Sequence, residues 1–271
     1  MARPLTYNAT LVERIDLNES LAIFKVQPDE FDPQPGWFDP GQYLTLGLNN
    51  EQLPDLGSVR RPMSIASHPS QTGTADFYIR FVNAPESDNP LTHLLWPLET
   101  GARLWVSKRP IGHFTVEHCT GTDDPRKRVL VAAGTGLAPF TSMVFEQIAQ
   151  NPNVDLSQWA VLHAASYPSD IGYRDTLSAL REQHQLIYAP SISRPHEAPE
   201  WNEHTGRVED FFAADRLTAT EALLGLGDGM LTPELAVIYI CGLNGTIANI
   251  IERLLSRGYV PNHRKIRRAL G

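Results

Sequence analysis

Two rhythms of apolar and polar residues divide the chain. Up to about residue 117, short runs at 9–15, 21–26, 43–48, 61–66, 76–82 and 103–108 are rich in β-branched and aromatic residues, and turn formers such as Asn49 with Asn50 or Thr100 with Gly101 separate them. Six strands so spaced predict an antiparallel β-barrel, closed or nearly closed, with a short helix over 91–96 at one end. The polar stretch 118–127, which holds Gly121 and Pro125, predicts the boundary, giving domains at 1–117 and 126–271. Beyond it, strands at 129–133, 159–164, 186–191 and 236–241 alternate with helices at 139–149, 174–184, 219–225 and 245–257. Such alternation predicts an α/β domain with a parallel sheet. Ligands of such sheets lie at the strand carboxyl ends, here Gly134, Ala165 with Ser166, Ser193 with Arg194, and Cys241 with Gly242.

The stretch V-L-V-A-A-G-T-G-L-A-P-F at 129–140 organises the second rhythm. A buried apolar strand runs into Gly134, Thr135 and Gly136, and Pro139 suits the first turn of the following helix. Exposed N–H groups at such a turn, added to the helix dipole, favour a phosphate. The third glycine of the simple dinucleotide fingerprint is replaced by Pro139, which disfavours an ordinary Rossmann dehydrogenase.

Charge and cysteine content narrow the function. The 271 residues carry a formal charge of −8, against general nucleic-acid binding. Cys119 and Cys241 are too few for a four-thiolate cluster or a disulfide framework. No apolar run reaches a membrane span, and the first twelve residues lack a basic region followed by an apolar one, so a cytoplasmic protein is expected. Basic clusters at Lys108 and Arg109, at 126–128 and at 264–268 are either solvated surface or docking faces for an acidic partner. G-x-S-x-G, H-E-x-x-H and P-loop motifs are absent. His113, His118 and Cys119 read as loop residues rather than metal ligands.

One further stretch joins the first. Arg61, Pro62, Met63 and Ser64 form an R-P-x-S segment, followed by G-T-G-x-A-P at 134–139 and a late Ile240, Cys241 and Gly242. With V-S-K-R-P-I-G at 106–112, V-L-H-A-A at 161–165, Ser193 with Arg194 and T-G-R at 205–207, this order resembles the bacterial branch of the ferredoxin–NADP reductase family of flavoproteins.

The resemblance implies a barrel that holds FAD, with Arg61 at its pyrophosphate and Ser64 at the flavin N5. Met63 stands where relatives carry a stacking aromatic; a thioether packs less rigidly on a ring. The backbone of Tyr78, Ile79, Arg80 and Phe81 would line the flavin, and Pro90, Leu91 and Thr92 would cap the pyrophosphate, Thr92 also reading as a helix N-cap. For NADP(H), the resemblance implies Gly134, Thr135 and Gly136 under the pyrophosphate, with Thr135 between flavin and nicotinamide. Arg194 and Arg207 would take the 2′-phosphate next to Ser193, Ser166 stands where some relatives have another arginine, and Cys241 and Gly242 would lie by the nicotinamide. Ser64 and Cys241 are the implied catalytic residues. The implied enzyme is a monomer that passes electrons from NADPH to ferredoxin or flavodoxin. Alternatives are an NADH-fed reductase component of an oxygenase and a non-catalytic nucleotide-binding subunit. Relatives often end in a segment that covers the flavin, whereas this sequence stops at Ala269, Leu270 and Gly271 after the basic run; either that segment is missing here or Tyr259 and the basic run take over part of its role.

Overall fold

A computed structural model describes residues 4–29 and 34–262. The basic run 264–268 therefore lies outside the described residues, as do the last three. The chain forms two compact units. One comprises the described residues up to His118 with Ala138–Pro152; the other comprises Cys119–Leu137 with the described residues from Asn153 onward. No helix among the described residues is long and apolar enough to cross a membrane.

The first unit contains β1 (Ala9–Asn18), β2 (Leu21–Pro28), β3 (Tyr43–Asn49), β4 (Ser58–Ser64), β5 (Ala75–Arg80) and β6 (Arg103–Val106). They form one antiparallel sheet in the order β4-β3-β6-β1-β2-β5. Its two ends meet just beyond β4, where Ala66 N–H donates to the Asp76 carbonyl at 2.8 Å, so the sheet rolls into a barrel. The strand period of two sends Leu11, Phe24, Leu44, Leu46 and Phe77 into a common core, with Leu91 and Leu95 of α1 (Leu91–Leu95). Each such side chain stabilises the unit by roughly 1.5–3 kcal/mol.

Two local expectations change. The arginine pair sits inside β4 rather than at its start, because pairing of Asn49 with Ser58 and Leu46 with Arg61 extends the hairpin towards its N-terminal side. Thr92 is not an N-cap: Pro90 occupies that position, and Thr92 lies within α1, where its carbonyl accepts the Trp96 N–H at 3.0 Å. Pro90 already has the extended backbone that a cap needs, and helical geometry starts directly after it.

The second unit has a five-stranded parallel sheet of β7 (Lys127–Ala133), β8 (Trp159–Ala165), β9 (Ile187–Ile192), β10 (His204–Thr205) and β11 (Ala236–Cys241). The order β10-β9-β8-β7-β11 makes β7 the strand from which the chain winds both ways. The crevice for ligands in such sheets opens at that reversal, outside the carboxyl ends of β7 and β11. The two-residue β10 has no sequence signal of its own; pairing with β9 makes it a strand.

Helix α3 (Ala138–Gln150) follows β7, and the sequence boundaries set it in the second domain, yet it packs as part of the first unit. Thr141 Oγ1 donates to the Ala66 carbonyl at 2.9 Å, and buried Glu146 accepts Ser70 Oγ–H at 2.9 Å and Ser70 N–H at 3.0 Å. These partners are more than 70 residues away, beyond any local pattern.

The 126–128 run is not an open docking face. Arg126 is clamped on Asp124 at 2.9 and 3.1 Å, Lys127 is buried with its ammonium on the Ser157 carbonyl at 2.9 Å, and buried Arg128 lies 5.1 Å from the Trp159 ring centroid. Strand β7 recruits the second and third of these residues, so their aliphatic stems are covered and their charged ends are spent on carbonyls and rings. Lys108 and Arg109, by contrast, are exposed.

Candidate functional site

In the second unit the site is made chiefly of backbone. Gly134 leaves β7 at φ +53°, a left-handed conformation that suits glycine, and a 3₁₀ turn, Gly134–Leu137, precedes α3. The sequence predicted the turn but not its 3₁₀ form. A Cβ on Gly136 would lie 2.2 Å from the Cys241 carbonyl oxygen, and one on Gly242 would lie 2.9 Å from Ala133 Cβ. The turn after β7 and the end of β11 therefore touch through bare backbone. Burial pushes the Cys241 thiol up to about 11, which keeps it protonated at neutral pH.

A residue that sequence reasoning passed over secures this turn. His163, fully buried in β8, hydrogen-bonds the Gly134 carbonyl through Nε2 at 3.1 Å. Burial lowers its pKa to about 4, so the ring is neutral, and because a carbonyl only accepts, Nε2 carries the proton. Nδ1 is left buried with no hydrogen-bond partner among the described residues. The histidine was visible in the 161–165 motif; its partner, 29 residues earlier, was not.

Ser166, Ser193 and Arg194 come together. The Ser193 N–H donates to the Ala165 carbonyl at 3.0 Å and the Arg194 N–H to the Ser166 carbonyl at 3.2 Å, continuing the β8–β9 ladder past its strand ends. Arg194 forms no ion pair among the described residues; its Nη1 donates to the Tyr167 hydroxyl, and the guanidinium carbon lies 5.0 Å from that ring's centroid. The hydroxyl contact holds Arg194 above its usual basicity. Tyr167 was also missed, since nothing local links it to a residue 27 positions on. Gly206 is tied to the same edge by its N–H to the Ile192 carbonyl at 2.8 Å, and Arg207 follows, exposed, 3.9 Å from buried Glu209. Arg207 faces a different set of neighbours from Arg194: a pocket of about 290 Å³ that includes His204, Phe211 and Arg216.

In the first unit the predicted residues lie on the open side of β4 and along β5. Arg60, Arg61 and Pro62 are exposed, Met63 and Ser64 half-buried, and Met63 packs against the barrel core. Proline is tolerated here because β4 ends the sheet order. The two arginines differ: Arg60 lies 4.7 Å from the Trp105 ring centroid, whereas Arg61 donates to the Arg60 carbonyl at 2.8 Å and leaves the rest of its fork in solvent. Tyr78 and Ile79 are buried, while Arg80 and Phe81 are half-buried, Phe81 stacked on His93 at 4.5 Å. Leu91 is core, Pro90 is half-buried, and Thr92 Oγ1 is buried with no hydrogen-bond partner among the described residues. An exposed guanidinium and a hydroxyl without a partner among the described residues suit a phosphate-bearing ligand in this unit, and the glycine cradle suits one in the other.

Residues 130–252 match the family model described as the oxidoreductase NAD-binding domain. The chain is 31% identical over 229 residues to ferredoxin–NADP reductase B of Sorangium cellulosum, covering 84% of this chain and 82% of that one. It is 27% identical to the phenol hydroxylase P5 protein of Acinetobacter pittii over 76% of its own length, but spans only 53% of that longer protein. A ferredoxin NADP+ reductase structure from Neisseria gonorrhoeae with bound FAD and NADP shares the fold, with a TM-score of 0.75 at 22% identity over 96% of this chain and 94% of that one. Barrel, switch-point cradle and the extent of the Sorangium match together show that this chain belongs to the ferredoxin–NADP reductase family of FAD- and NAD(P)-dependent oxidoreductases.

Proposed function

We propose that the protein passes reducing equivalents from NADPH to a one-electron carrier of the ferredoxin or flavodoxin type, as a cytoplasmic monomer. The observation that carries this reading is the glycine turn at the switch point, where Gly136 packs on the Cys241 carbonyl with no space for a side chain while Gly134 faces open space. FAD, held by the first unit, would supply the redox chemistry, coupling two-electron oxidation of NADPH to one-electron reduction of the carrier.

The chain's own residues bind and orient. In the first unit Arg61 takes the flavin pyrophosphate together with Pro90, Leu91 and Thr92, whose buried hydroxyl is available to it. Met63 packs on the ring system with Pro62 beside it, Ser64 hydrogen-bonds the N5 edge, and the backbone of Tyr78, Ile79, Arg80 and Phe81 lines the flavin. In the second unit Gly134, Thr135 and Gly136 cradle the NADPH pyrophosphate. Arg194, set by Tyr167, and Arg207 take the 2′-phosphate, with Ser166 and Ser193 as neutral neighbours. Cys241 and Gly242 receive the nicotinamide; the Cys241 thiol stays protonated and acts by shape and polarisability, not as a nucleophile.

The test is a visible spectrum of the purified protein followed by anaerobic addition of NADPH or NADH. A yellow protein bleached by NADPH at lower concentration than by NADH, and then reoxidised by ferredoxin, is expected; a colourless protein, or one that NADPH leaves oxidised, overturns the reading. One observation favours a second reading, a reductase component of an oxygenase fed by NADH: Ser166 has no positive charge to add to Arg194, and a phenol hydroxylase protein is among the relatives. Equal efficiency with the two nucleotides would favour it.

A further inference from the structure

The pocket that contains Arg207 has features the motif comparison does not explain. It lies beside the edge strand β10, between that strand and helix α5 (Leu217–Leu223), with a volume of about 290 Å³, the lower end for small-ligand sites. Phe211 and Leu223 give it an apolar side, and the His204 ring lies 5.3 Å from that of Phe211. Two guanidiniums enter it, Arg207 and Arg216.

Arg216 belongs to no family motif quoted above, yet the fold holds it in place. Its Nη1 donates to the Thr205 carbonyl, and a Cβ on Gly206 would lie 2.8 Å from Asp210 Oδ2 and 3.0 Å from that nitrogen, so glycine at 206, at φ +112°, makes room for both side chains. Arg216 enters no ion pair among the described residues. The nearby acids are largely engaged. Glu203 is bound by Arg174 at 3.1 Å and Arg181 at 3.5 Å. Asp210 accepts the Arg207 N–H at 2.9 Å and Arg253 at 3.4 Å. Buried Glu209 sits 3.9 Å from Arg207 and accepts from Asn249 at 3.4 Å. The cavity is thus lined by a pair of forked cations, by an apolar side, and by Glu203, whose carboxylate is already held by Arg174 and Arg181. Planar guanidiniums match the oxygens of a phosphate bidentately, and a dianion calls for two positive charges.

We propose that this pocket is a phosphomonoester site in which Arg216 is the second cation beside Arg207. The proposal rests on and deepens the reading of the second unit as the NADPH-binding one, adding beside Arg207 a positive charge that Ser166 does not supply beside Arg194. The same chemistry has two sources, the 2′-phosphate of NADP(H) or free inorganic phosphate.

Calorimetric titration of the full-length protein with 2′,5′-ADP, 5′-ADP and inorganic phosphate separates them, using wild type, Arg216→Gln, Arg207→Gln and Arg194→Gln. Arg216→Gln is expected to weaken 2′,5′-ADP at least tenfold and leave 5′-ADP unchanged, as loss of a contact to the 2′-phosphate alone would do. If inorganic phosphate weakens instead and 2′,5′-ADP does not, the site stands with free phosphate as its ligand. If neither ligand weakens, the proposal fails. Arg216→Lys, which keeps the charge but loses the fork, is expected to bind the same ligand about threefold less tightly than wild type; should Arg216→Gln not fold, wild-type affinity in Arg216→Lys overturns the proposal. Unchanged 2′,5′-ADP binding in both Arg194→Gln and Arg207→Gln would instead sink the 2′-phosphate reading itself, a result distinguishable from failure at Arg216.

Discussion

On the proposed assignments, the two units present a surface to a phosphate-bearing ligand with opposite materials. The second unit uses backbone: Gly134, Gly136 and Gly242 contribute by lacking side chains, and His163 acts on a carbonyl. The first unit uses side chains on a strand, Arg61 exposed and Ser64 half-buried, over a core that they do not themselves build. A site made of close-packed backbone is coupled to the stability of its unit, whereas one made of projecting side chains separates from it. Substitutions should therefore destabilise the second unit and merely empty the first.

The largest expected effect is Gly136→Ala. A methyl 2.2 Å from the Cys241 carbonyl oxygen forces the ends of β7 and β11 apart, at a cost of about 3 kcal/mol or more. Gly134→Ala meets open space and carries only the left-handed backbone penalty, about 1–2 kcal/mol. Denaturant unfolding should rank the two in that order; the reverse ranking would break the backbone-contact account.

His163 sharpens the comparison through pH. Its folded pKa, about 4, lies below the unfolded value near 6.5, so the unfolded chain binds the extra proton first. Its contribution is complete above about pH 6.5 and falls as pH drops between 6.5 and 4, the loss amounting to roughly 3 kcal/mol below that window. Unfolding free energies measured at pH 7 and pH 4 should differ by about that much more in wild type than in His163→Gln. Parallel losses in the two proteins would show that the buried ring is not the group that titrates.

In the first unit, Arg61→Ala should weaken flavin binding by the roughly 1.5–3 kcal/mol of a charge-assisted hydrogen bond, with the melting temperature of the flavin-free protein unchanged. Arg60→Ala should leave flavin occupancy nearly intact, because that side chain lies over Trp105. Equal occupancy in the two variants would remove Arg61 from the site.

The smallest effect is expected at the partner surface. Reversing the charges of exposed Lys108 and Arg109 should slow ferredoxin reduction severalfold, leave ferricyanide reduction unchanged and flatten the salt dependence, since exposed charges are screened over roughly 10 Å at 0.1 M salt. Altering buried Lys127 or Arg128 should lower stability without a ferredoxin-specific effect. A salt-independent rate with harmless reversal at Lys108 and Arg109 would remove electrostatic docking at this face.

The sequence by itself determined the strand and helix succession, the position of the glycine turn and the run of motifs. These are local: a period of two or of 3.6 is written within ten residues, and a left-handed turn asks for glycine wherever it occurs. Tertiary structure alone decided what depends on distant partners. The 126–128 and 108–109 clusters have similar compositions, yet pairing of β7 buries Lys127 and Arg128 while the end of β6 leaves Lys108 and Arg109 in solvent. Register with β3 moved Arg61 to mid-strand, and contacts to Ala66 and Ser70 drew α3 into the first unit. Sequence could name Arg194 and Arg207 but could not show that Tyr167 holds one and that Arg216 shares a cavity with the other. Those relations arise because parallel strands separated along the chain are brought to one sheet edge, and the spacing of residues along the chain carries no record of which loops then become neighbours.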